Sequence, residues 1–314
     1  MSAPRIVVFG GTGFVGNRLV PRLVREGFEV TVPSRNRNHQ RDLFVLPQVQ
    51  VVNADPYSPD DLQRVLDGAH AAINLVGILN ERGRDGTGFR RAHVELSEKI
   101  IAACHVTGTH RLLQMSALNA GRGSSHYLRT RGEAEARVMA SGLNWTIFQP
   151  SVIFGPGDGL FERFARLLKL APALPLARAH AKFAPVYVGD VVEAFMRALE
   201  NPASVAQTYE LYGPQVMTLA DIVRYTARHL RLRRTVLPLP DALARVQAAI
   251  FDFVPGKPFS TDNYLSLKID SVGGIDGLHR LGISPTGIDG IVPAQLALRP
   301  RQRRYDTYRS TRPQ

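Results

Sequence analysis

A glycine-rich segment near the amino terminus has the residue types and spacing to hold a phosphate group. It reads Gly10-Gly11-Thr12-Gly13-Phe14-Val15-Gly16, between an apolar run at 6–9 and an amphipathic run at 17–24. This order predicts a strand, a tight turn and a helix, and glycine allows the turn and the close approach that a Cβ would block. The N–H groups at the start of the helix then bind phosphate, so we expect the pyrophosphate of a dinucleotide there. The alternative is a structural glycine turn that binds nothing. The expected contacts are Gly10, Thr12, Gly13, Phe14, Val15 and Gly16.

The residues after the second predicted strand indicate which nucleotide is bound. An acid at this place selects NAD, whereas a basic residue accommodates the 2′-phosphate of NADP. The chain has Ser34, Arg35 and Arg37 there and no acid, which favours NADP(H) over NAD(H). In a chain this rich in arginine, the alternative is that these are ordinary surface side chains. Asp55 ends the third predicted strand, where it could reach the adenine or cap the next turn.

Strand-like and helix-like runs alternate along the first half of the chain. The predicted strands are 5–9, 28–32, 49–53, 70–76, 110–115 and 144–149, and the predicted helices are 14–26, 58–67, 88–107 and 126–141. Apolar strands joined by helical crossovers predict an α/β fold, a Rossmann-type doubly wound parallel sheet with helices on both faces.

The pattern changes after Pro150 and indicates a smaller C-terminal lobe over the cleft. A helix at 160–170, a strand at 184–188 and a helix at 190–200 are followed by helices near 218–230 and 239–252 with proline-rich joints. We therefore expect residues 1–155 plus 184–210 to form the dinucleotide-binding domain. The smaller lobe takes 156–183 plus 211–298, and 299–314 is a basic tail.

Composition excludes several classes of protein. The chain has 314 residues, a net charge of +12 and one cysteine, Cys104. An internal disulfide and a cysteine metal site are therefore excluded, no histidine or acidic cluster has metal-ligand spacing, and Cys104 is expected to be a packing residue. No apolar run approaches the roughly 18 residues of a membrane span, and the first strand begins too early for a signal peptide. We expect a cytoplasmic protein.

The basic tail holds six arginines and one acid. It is expected to contact an anionic membrane or an acidic partner of a membrane complex, which would place the protein on the cytoplasmic face of the inner membrane. The alternative is a solvated chain end. Nucleic acid is the weakest partner because no recognition motif is present.

Several further motifs resemble a known family. They are Asn74-Leu75-Val76-Gly77, Gln149-Pro150-Ser151-Val152-Ile153-Phe154-Gly155-Pro156-Gly157-Asp158 and Pro185-Val186-Tyr187-Val188-Gly189-Asp190-Val191, together with residues 92–101 and 113–120. With the glycine turn they resemble the atypical and extended short-chain dehydrogenase/reductase superfamily, and within it the bacterial relatives of the NADPH-binding accessory subunit of respiratory complex I. The resemblance implies a seven-stranded parallel sheet, a bound NADP(H) that serves structure or assembly more than turnover, and docking on a membrane complex. It adds Leu75, Val76, Gly77, Pro150 and Val152 to the expected cofactor contacts.

Active members of this superfamily use a serine, a tyrosine and a lysine four residues after the tyrosine. The matching positions here are Ser116, Tyr127 and Arg131, so an arginine replaces the lysine. Tyr127 and Arg131 are also expected to contact the cofactor. The lysine charge lowers the pKa of the tyrosine, and arginine keeps the charge but has a wide planar head. The alternatives are a serine that satisfies backbone groups, a helix aromatic and a solvated pair of Arg131 with Glu135.

Three residues are candidate substrate contacts: His93, where relatives place an asparagine, Asp158 and His180. For His180 the alternative is a plain surface histidine, and Asp190 is expected to be a helix N-cap. The first hypothesis is an NADP(H)-binding accessory or nucleotide-sensing protein with weak or no turnover. The second is an NADPH-dependent reductase or isomerase of a small carbonyl compound. A nucleotide-sugar epimerase or dehydratase shares the fold and is the third.

Overall fold

The structure is a computed structural model that describes residues 3–35, 46–254, 257 and 259–297. Arg37 and the basic tail at 299–314, both singled out from the sequence, lie outside the described residues. In chain order the strands are β1 (Arg5–Phe9), β2 (Glu29–Ser34), β3 (Val49–Asn53), β4 (Ala71–Asn74), β5 (Arg111–Met115), β6 (Asn144–Pro150), β7 (Ile153–Phe154), β8 (Ala173–Leu176), β9 (Lys182–Phe183), β10 (Val186–Tyr187), β11 (Gln207–Leu211), β12 (Met217–Thr218) and β13 (Thr235–Pro238).

Seven of these strands form one parallel sheet in the order β3-β2-β1-β4-β5-β6-β11. The chain reverses its direction of progress between β1 and β4. At such a reversal a crevice opens beyond the carboxyl ends of the strands, and ligands bind there in this fold class. The predicted Rossmann-type sheet is confirmed.

The helices cover both faces of the sheet. They are α1 (Gly16–Arg25), α2 (Pro59–Leu66), α3 (Thr87–Arg90), α4 (Leu96–Thr107), α5 (His126–Met139), α6 (Phe161–Leu170), α7 (Val188–Glu200), α8 (Leu219–His229), α9 (Asp241–Phe251), α10 (Thr261–Ser266), α11 (Gly277–Arg280) and α12 (Val292–Ala297). A π-helical turn, Arg91–Glu95, joins α3 to α4. Helices α1 and α7 pack on one face, and α2, α4 and α5 pack on the other, each over its own apolar core. Cys104 is fully buried in the second core, and burial raises the pKa of its thiol to about 12, as expected of a packing residue.

Beyond the two sheet cores, the described residues form three further apolar clusters, mostly in the second half of the chain. One joins α6, α8 and α12, the next joins α6, α8 and β8, and the last holds α9 and α10. The Asp190 carboxylate links this part of the chain to the sheet, since it accepts hydrogen bonds from the N–H and hydroxyl of Thr286 at 2.7 and 2.8 Å. The expectation that Asp190 is an N-cap was wrong. Helix α7 begins two residues earlier, at Val188, because its N-terminus follows directly on β10.

Candidate functional site

The glycine turn between β1 and α1 is shaped by close backbone contacts. Gly10 has a φ of +77°, and a Cβ there would lie 3.1 Å from the carbonyl carbon of Leu75. A Cβ on Gly16 would lie 2.5 Å from the carbonyl oxygen of Gly10, nearer than real side chains approach. Glycine is therefore required at both positions, once for backbone conformation and once for the packing of the helix on the turn.

The turn leaves backbone donors free where the cleft opens. The N–H of Gly13 donates to Gly10 at 2.9 Å, and that of Asn17 donates to Gly13 at 2.9 Å. The N–H groups of Phe14 and Val15, between them, have no acceptor among the described residues. They lie at the N-terminus of α1, where the helix dipole favours negative charge. The turn therefore offers free N–H donors and a space that the Cβ of a larger residue would fill. Both features fit the pyrophosphate of a dinucleotide.

The end of the crevice beside β2 and β3 is basic. Ser34 is half-buried at the end of β2 and Arg35 is exposed. The guanidinium of Arg91, on the π-helical turn, lies 4.4 Å from the centroid of the Tyr57 ring. Burial raises the pKa of the Tyr57 hydroxyl, and the charges of Arg91 and Arg35 oppose that shift. The Arg91 guanidinium therefore lies over this ring, and the charge of Arg35 is near enough to act on its hydroxyl.

Asp55 lies at the same end but is already bonded within its own turn. Its carboxylate accepts the N–H of Tyr57 at 3.0 Å, and its own N–H donates to Asp61 at 2.8 Å. This is the turn cap that the sequence left open as the alternative to an adenine contact.

The inner wall of the crevice comes from the ends of β4 and β6. Leu75 and Val76 are half-buried, and Gly77 is exposed. Val76 is held by Asn74, whose side-chain oxygen accepts the Val76 N–H at 3.1 Å. At the end of β6, Pro150 is buried and Val152, beyond it, is half-buried.

Arg131 is buried beneath this wall rather than exposed in the crevice. It is 6% exposed, and its Nη1 donates to the carbonyl oxygens of Met115 at 2.9 Å and Val76 at 3.4 Å. A Cβ on Gly77 would collide with the guanidinium, and the buried Nε has no acceptor among the described residues. The side chain therefore ties together the ends of β4 and β5.

Ser116 and Glu135 are also buried near Arg131. The Ser116 hydroxyl forms no hydrogen bond within the described residues. It lies close enough to the Glu135 carboxyl to act against the rise in the pKa of that group. Burial raises the pKa of the Glu135 carboxyl, and its two oxygens accept Nε2 of Gln149 at 2.8 and 2.9 Å. The alternative of a solvated pair between Arg131 and Glu135 was wrong, because both side chains are buried.

Tyr127 is half-buried at the start of α5, 5.6 Å from Arg131 between ring centroid and guanidinium carbon. Its ring meets those of Phe89 and His93 edge-on, with centroids 6.1 and 5.6 Å apart. The three candidate catalytic residues, Ser116, Tyr127 and Arg131, therefore lie at one corner of the cleft, which we call the tyrosine corner. The guanidinium of Arg131 is turned toward the ends of the sheet strands.

His93 is 1% exposed, and protein groups occupy both of its ring nitrogens. Nε2 accepts the N–H of Ile78 at 3.3 Å, and Nδ1 lies 2.9 Å from the Thr130 hydroxyl. Burial, assisted by the charge of Arg131, lowers the pKa of His93 to about 2. The ring is neutral, and both of its nitrogens are bonded to protein groups. His93 is therefore not free for the expected substrate contact and instead positions the Ile78 and Thr130 groups that it binds.

Asp158 is likewise used by the protein. It is 3% exposed, and its carboxylate accepts N–H groups of Gly155, Leu160 and Glu162 and the amide of Gln295, at 3.0 to 3.1 Å. This carboxylate organises the loop before α6 and has no oxygen left for a substrate. His180, in contrast, is exposed.

Asp262 contacts the catalytic corner although the sequence did not single it out. Its carboxylate accepts the N–H groups of His126 at 2.5 Å and Tyr127 at 3.2 Å, and so binds the N-terminus of α5. Burial raises the pKa of this carboxyl. No local signal could have revealed it, because the contact joins positions 135 and 136 residues apart.

Two cavities accompany the site. One of about 80 Å³ lies between the loop at 81–89, the start of α5 and the residues around Asp262. A more open one of about 590 Å³ lies in the C-terminal lobe between α8 and Asp289. Neither of these two is lined by Ser116, Tyr127 or Arg131.

In the described part of the chain, no group of three or more histidine, cysteine or acidic residues is arranged to hold a metal. No helix there is long and apolar enough to cross a membrane.

Solved structures share this fold. A dTDP-glucose 4,6-dehydratase from Streptomyces venezuelae with NAD bound superposes with a TM-score of 0.74 over 93% of this chain and 95% of that one, at 18% identity. A UDP-glucuronic acid 4-epimerase from Bacillus cereus gives a TM-score of 0.66 over 89% of this chain and 97% of that one, at 16% identity. At these identities the likeness concerns the fold alone.

Sequence comparison reaches further. A family model described as NAD(P)H-binding matches residues 10–161. The chain is 32% identical over 277 residues to the mitochondrial NADH dehydrogenase (ubiquinone) 1 alpha subcomplex subunit 9 of Arabidopsis thaliana, covering 85% of this chain and 68% of that one. Identity to the Mus musculus protein of the same name is 30% over 312 residues, covering 96% and 80%. A ceramide reductase of Caulobacter vibrioides is 27% identical over 255 residues, covering 79% and 77%. The chain therefore carries an NAD(P)-binding domain and belongs to the family of the NADH dehydrogenase 1 alpha subcomplex subunit 9.

Proposed function

We propose that this protein is an NADP(H)-binding accessory subunit or nucleotide sensor of a membrane-bound respiratory complex, with weak or no turnover. The observation that carries the proposal is the position of Arg131, whose guanidinium is bound to the carbonyl oxygens of Met115 and Val76. A cation held in this way stabilises the sheet ends beneath the nucleotide. The relatives named as complex subunits supply the kind of partner, and the peripheral location at the inner membrane follows from that partner.

The residues at the tyrosine corner support binding more than proton transfer. Active members place a compact cation beside the tyrosine, where it lowers the phenol pKa and contacts ribose hydroxyls. The Arg131 head is planar and lies under Gly77, so it does not reproduce that contact. His93 stays neutral, and both of its nitrogens are used within the protein. Turnover would therefore lack its usual proton path.

The preference for NADP(H) is part of the proposal and rests on two arginines. Arg35 follows β2, and Arg91 is held against Tyr57 by a cation–π contact. Neither forms an ion pair with an acid among the described residues. An arginine fork matches a phosphate monoester in geometry and charge, so the pair would bind the 2′-phosphate.

The proposed domain bounds correspond to the proposed position of the nucleotide. The dinucleotide-binding domain would comprise 1–155 plus 184–210, and the lobe at 156–183 plus 211–298 would cover the cleft. The pyrophosphate would bind the glycine turn, and the nicotinamide end would lie toward Gly77, Pro150 and Val152.

The experiment that tests the proposal has two measurements on the purified protein. Calorimetric titration should show tight binding of NADPH, and NADPH absorbance with a panel of carbonyl compounds should show no turnover above background. Tyr127→Phe should still bind NADPH, because it removes one hydroxyl and leaves the glycine turn and Arg35 in place. Sustained turnover that Tyr127→Phe abolishes would contradict the accessory role, and failure to bind either nucleotide would contradict the proposal as a whole.

An NADPH-dependent reductase is the second candidate. It is favoured by the similarity to a protein named ceramide reductase and by the unbonded hydroxyl of Ser116 next to the tyrosine corner. In that case Tyr127 donates the proton and Ser116 binds the carbonyl oxygen. The panel of carbonyl compounds should then include an N-acylated amino ketone, the oxidised core of a ceramide.

A further inference from the structure

Residues 259–271 cross the edge of the sheet at which the crevice opens. Strands β4, β5 and β6 are parallel neighbours, so the loops that follow them lie side by side at their carboxyl ends. The segment contains α10 and is bonded to the loop after each of these strands. We call residues 259–271 the strap.

Three hydrogen bonds join the strap to those loops. Nδ2 of Asn263 donates to the carbonyl oxygen of Leu79, beyond β4, at 3.1 Å. Nδ2 of Asn119, beyond β5, donates to a carbonyl oxygen of the strap at 2.9 Å. Ser151 follows β6 directly, and its hydroxyl donates to the carbonyl oxygen of Ser271 at 2.8 Å. The strap therefore spans the ends of all three strands.

The strap is also bonded to the helix of the tyrosine corner. The Asp262 carboxylate accepts the N–H groups of His126 and Tyr127, which begin α5. These groups lack partners within the helix, so a carboxylate from elsewhere in the chain satisfies them. Ile269 packs on the loop before α5, since a Cβ on Gly123 would lie 2.6 Å from its Cδ1 atom. The strap is thereby held against the helix that carries Tyr127.

The other side of the strap is anchored in the second half of the chain. Tyr264 is buried in one apolar cluster with Ala244 and Ala248 of α9, and its hydroxyl donates to Asp241 at 2.6 Å. At its far end the strap forms a backbone bridge with β9. The strap is therefore a packed element of the fold with a defined position.

Little space remains between the strap and the tyrosine corner. The cavity there is lined by Ser260, Asp262 and Leu265 of the strap and by Phe89 and His126 on the opposite side, and its volume is about 80 Å³. Sites for small-molecule ligands measure roughly 300–1,000 Å³. The cavity holds a few water molecules and is too small for a ligand of that class.

We infer that the strap is a built-in cover, which closes the nicotinamide end of the crevice over bound NADP(H) and keeps carbonyl compounds away from the ring. This rests on the proposed function, in which the nicotinamide lies toward Gly77, Pro150 and Val152. Leu79 and Ser151, to which the strap is bonded, are each within two residues of these positions. An enclosed ring meets solvent only when the cover opens. The strap thus limits turnover by a route that is independent of the cation at the corner.

The test measures how readily a solute reaches the bound nicotinamide. The full chain is loaded with NADPH, whose reduced ring fluoresces, and the fluorescence is quenched with acrylamide, a small neutral molecule. The bimolecular quenching constant, corrected for fluorescence lifetime, should be on the order of fivefold lower for bound than for free NADPH. Displacement by excess NADP⁺ in stopped flow gives the rate of NADPH release.

Two variants loosen the strap at different places. Asp262→Ala removes the bonds to the start of α5. Asn119→Gly removes the bond to Asp270 and keeps the backbone, since Asn119 has a φ of +63°, which glycine adopts freely. Each should raise the quenching constant toward that of free NADPH and speed release by about tenfold, because fewer hydrogen bonds hold the strap closed.

The matched control is Asp276→Ala. Like Asp262, the Asp276 carboxylate accepts an N–H at the start of a helix, that of His279 at 3.0 Å, but this helix, α11, packs on the outer strand β11. The control should quench and release NADPH as the native chain does. Thermal unfolding monitors the fold of every variant, and Asn119→Gly decides the question by itself if Asp262→Ala does not fold.

Two results would overturn the inference alone. One is a quenching constant of NADPH on the native chain equal to that of free NADPH, which would mean that nothing covers the ring. The other is native quenching and release in both strap variants. In either case NADPH is bound, and the proposed accessory role stands. Absence of NADPH binding would contradict the proposed function and the cover together.

Discussion

The glycine turn and the tyrosine corner lie on the same crevice and differ in what their polar groups do. At the turn, the N–H groups of Phe14 and Val15 have no acceptor among the described residues. At the corner, Nη1 of Arg131 and both ring nitrogens of His93 are bonded to groups of the protein itself, while Arg131 Nε and the Ser116 hydroxyl have no partner among the described residues. Free donors at the turn are open to a ligand, whereas the bonded groups at the corner hold the protein together.

This difference is the physical basis of the proposed function, in which the nucleotide site is kept without turnover. The turn depends on backbone atoms and glycine, so nearly any other change leaves it intact. The corner depends on the orientation of one cation, whose Nη1 lies one bond farther along the side chain than a lysine ammonium and donates to two carbonyl oxygens. Under the proposed function, nucleotide binding is retained while the proton path is lost.

Gly13→Ala should have the largest effect on nucleotide binding at the glycine turn. The added Cβ would lie 3.2 Å from the Gly10 carbonyl oxygen, at the mouth of the cradle, and hinder the pyrophosphate. We expect affinity for both NADPH and NADH to fall on the order of a hundredfold in calorimetric titration. Gly159→Ala, whose Cβ would meet nothing within 4 Å, is the control. Equal binding by the two variants would remove the phosphate role of the turn.

Arg35→Ala and Arg91→Ala should change the affinity for NADPH and for NADH to different extents. Each should weaken NADPH by about tenfold and leave NADH nearly unchanged, because only NADPH carries the 2′-phosphate. Arg90→Ala is the control, since Arg90 is paired with Glu133 at 2.8 and 2.9 Å. Equal losses for both nucleotides would contradict the phosphate assignment, and an effect of Arg35 alone would limit it to that residue.

Arg131→Lys tests the other side of the comparison. The lysine side chain is one bond shorter than the reach of Nη1, which donates to the carbonyl oxygens of Met115 and Val76, so the free energy of unfolding should fall by about 1 kcal/mol. Denaturant unfolding measures this change, and NADPH oxidation with the carbonyl panel should remain at background. Appearance of turnover would show that the arginine by itself silences an otherwise complete site.

His93→Gln should change the pH dependence of stability. The pKa of His93 is about 2 in the folded chain and 6.5 when unperturbed, so the unfolded chain takes up a proton that the folded chain refuses. This contribution to stability is complete above pH 6.5 and is lost as the pH falls toward 2. The native free energy of unfolding should therefore decrease more steeply than that of the variant between about pH 7 and pH 5, by less than a factor of ten in the equilibrium constant per pH unit. Parallel curves would mean that His93 is protonated in the folded chain.

The strands and helices of the sheet followed from local patterns. The apolar run before Gly10 and the amphipathic run after Gly16 became β1 and α1, because period and turn chemistry act over neighbouring residues. The predicted strand at 184–188 shortened to Val186–Tyr187, since α7 begins directly after it. Local patterns set the type of an element better than they set its ends.

The candidate site was predictable only in part. The glycine turn could be located because its chemistry belongs to backbone and glycine. The polar atoms of Asp158 and His93 form hydrogen bonds within the protein. Some of their partners, Gln295 for Asp158 and Thr130 for His93, are far away in the chain. Which polar groups remain free is decided by such long-range contacts, and no short window of sequence contains them.

The sequence by itself determined the family, the parallel sheet and the glycine turn at which we propose that a pyrophosphate binds, because these depend on spacing within a few residues. Only the tertiary structure decided that the Arg131 guanidinium turns into the sheet, that Asp262 binds the start of α5, and that α9 packs through alanines. The physical reason is that each of these outcomes depends on which surfaces come together. A buried cation must find oxygens, and a helix end must find groups that accept its free N–H bonds.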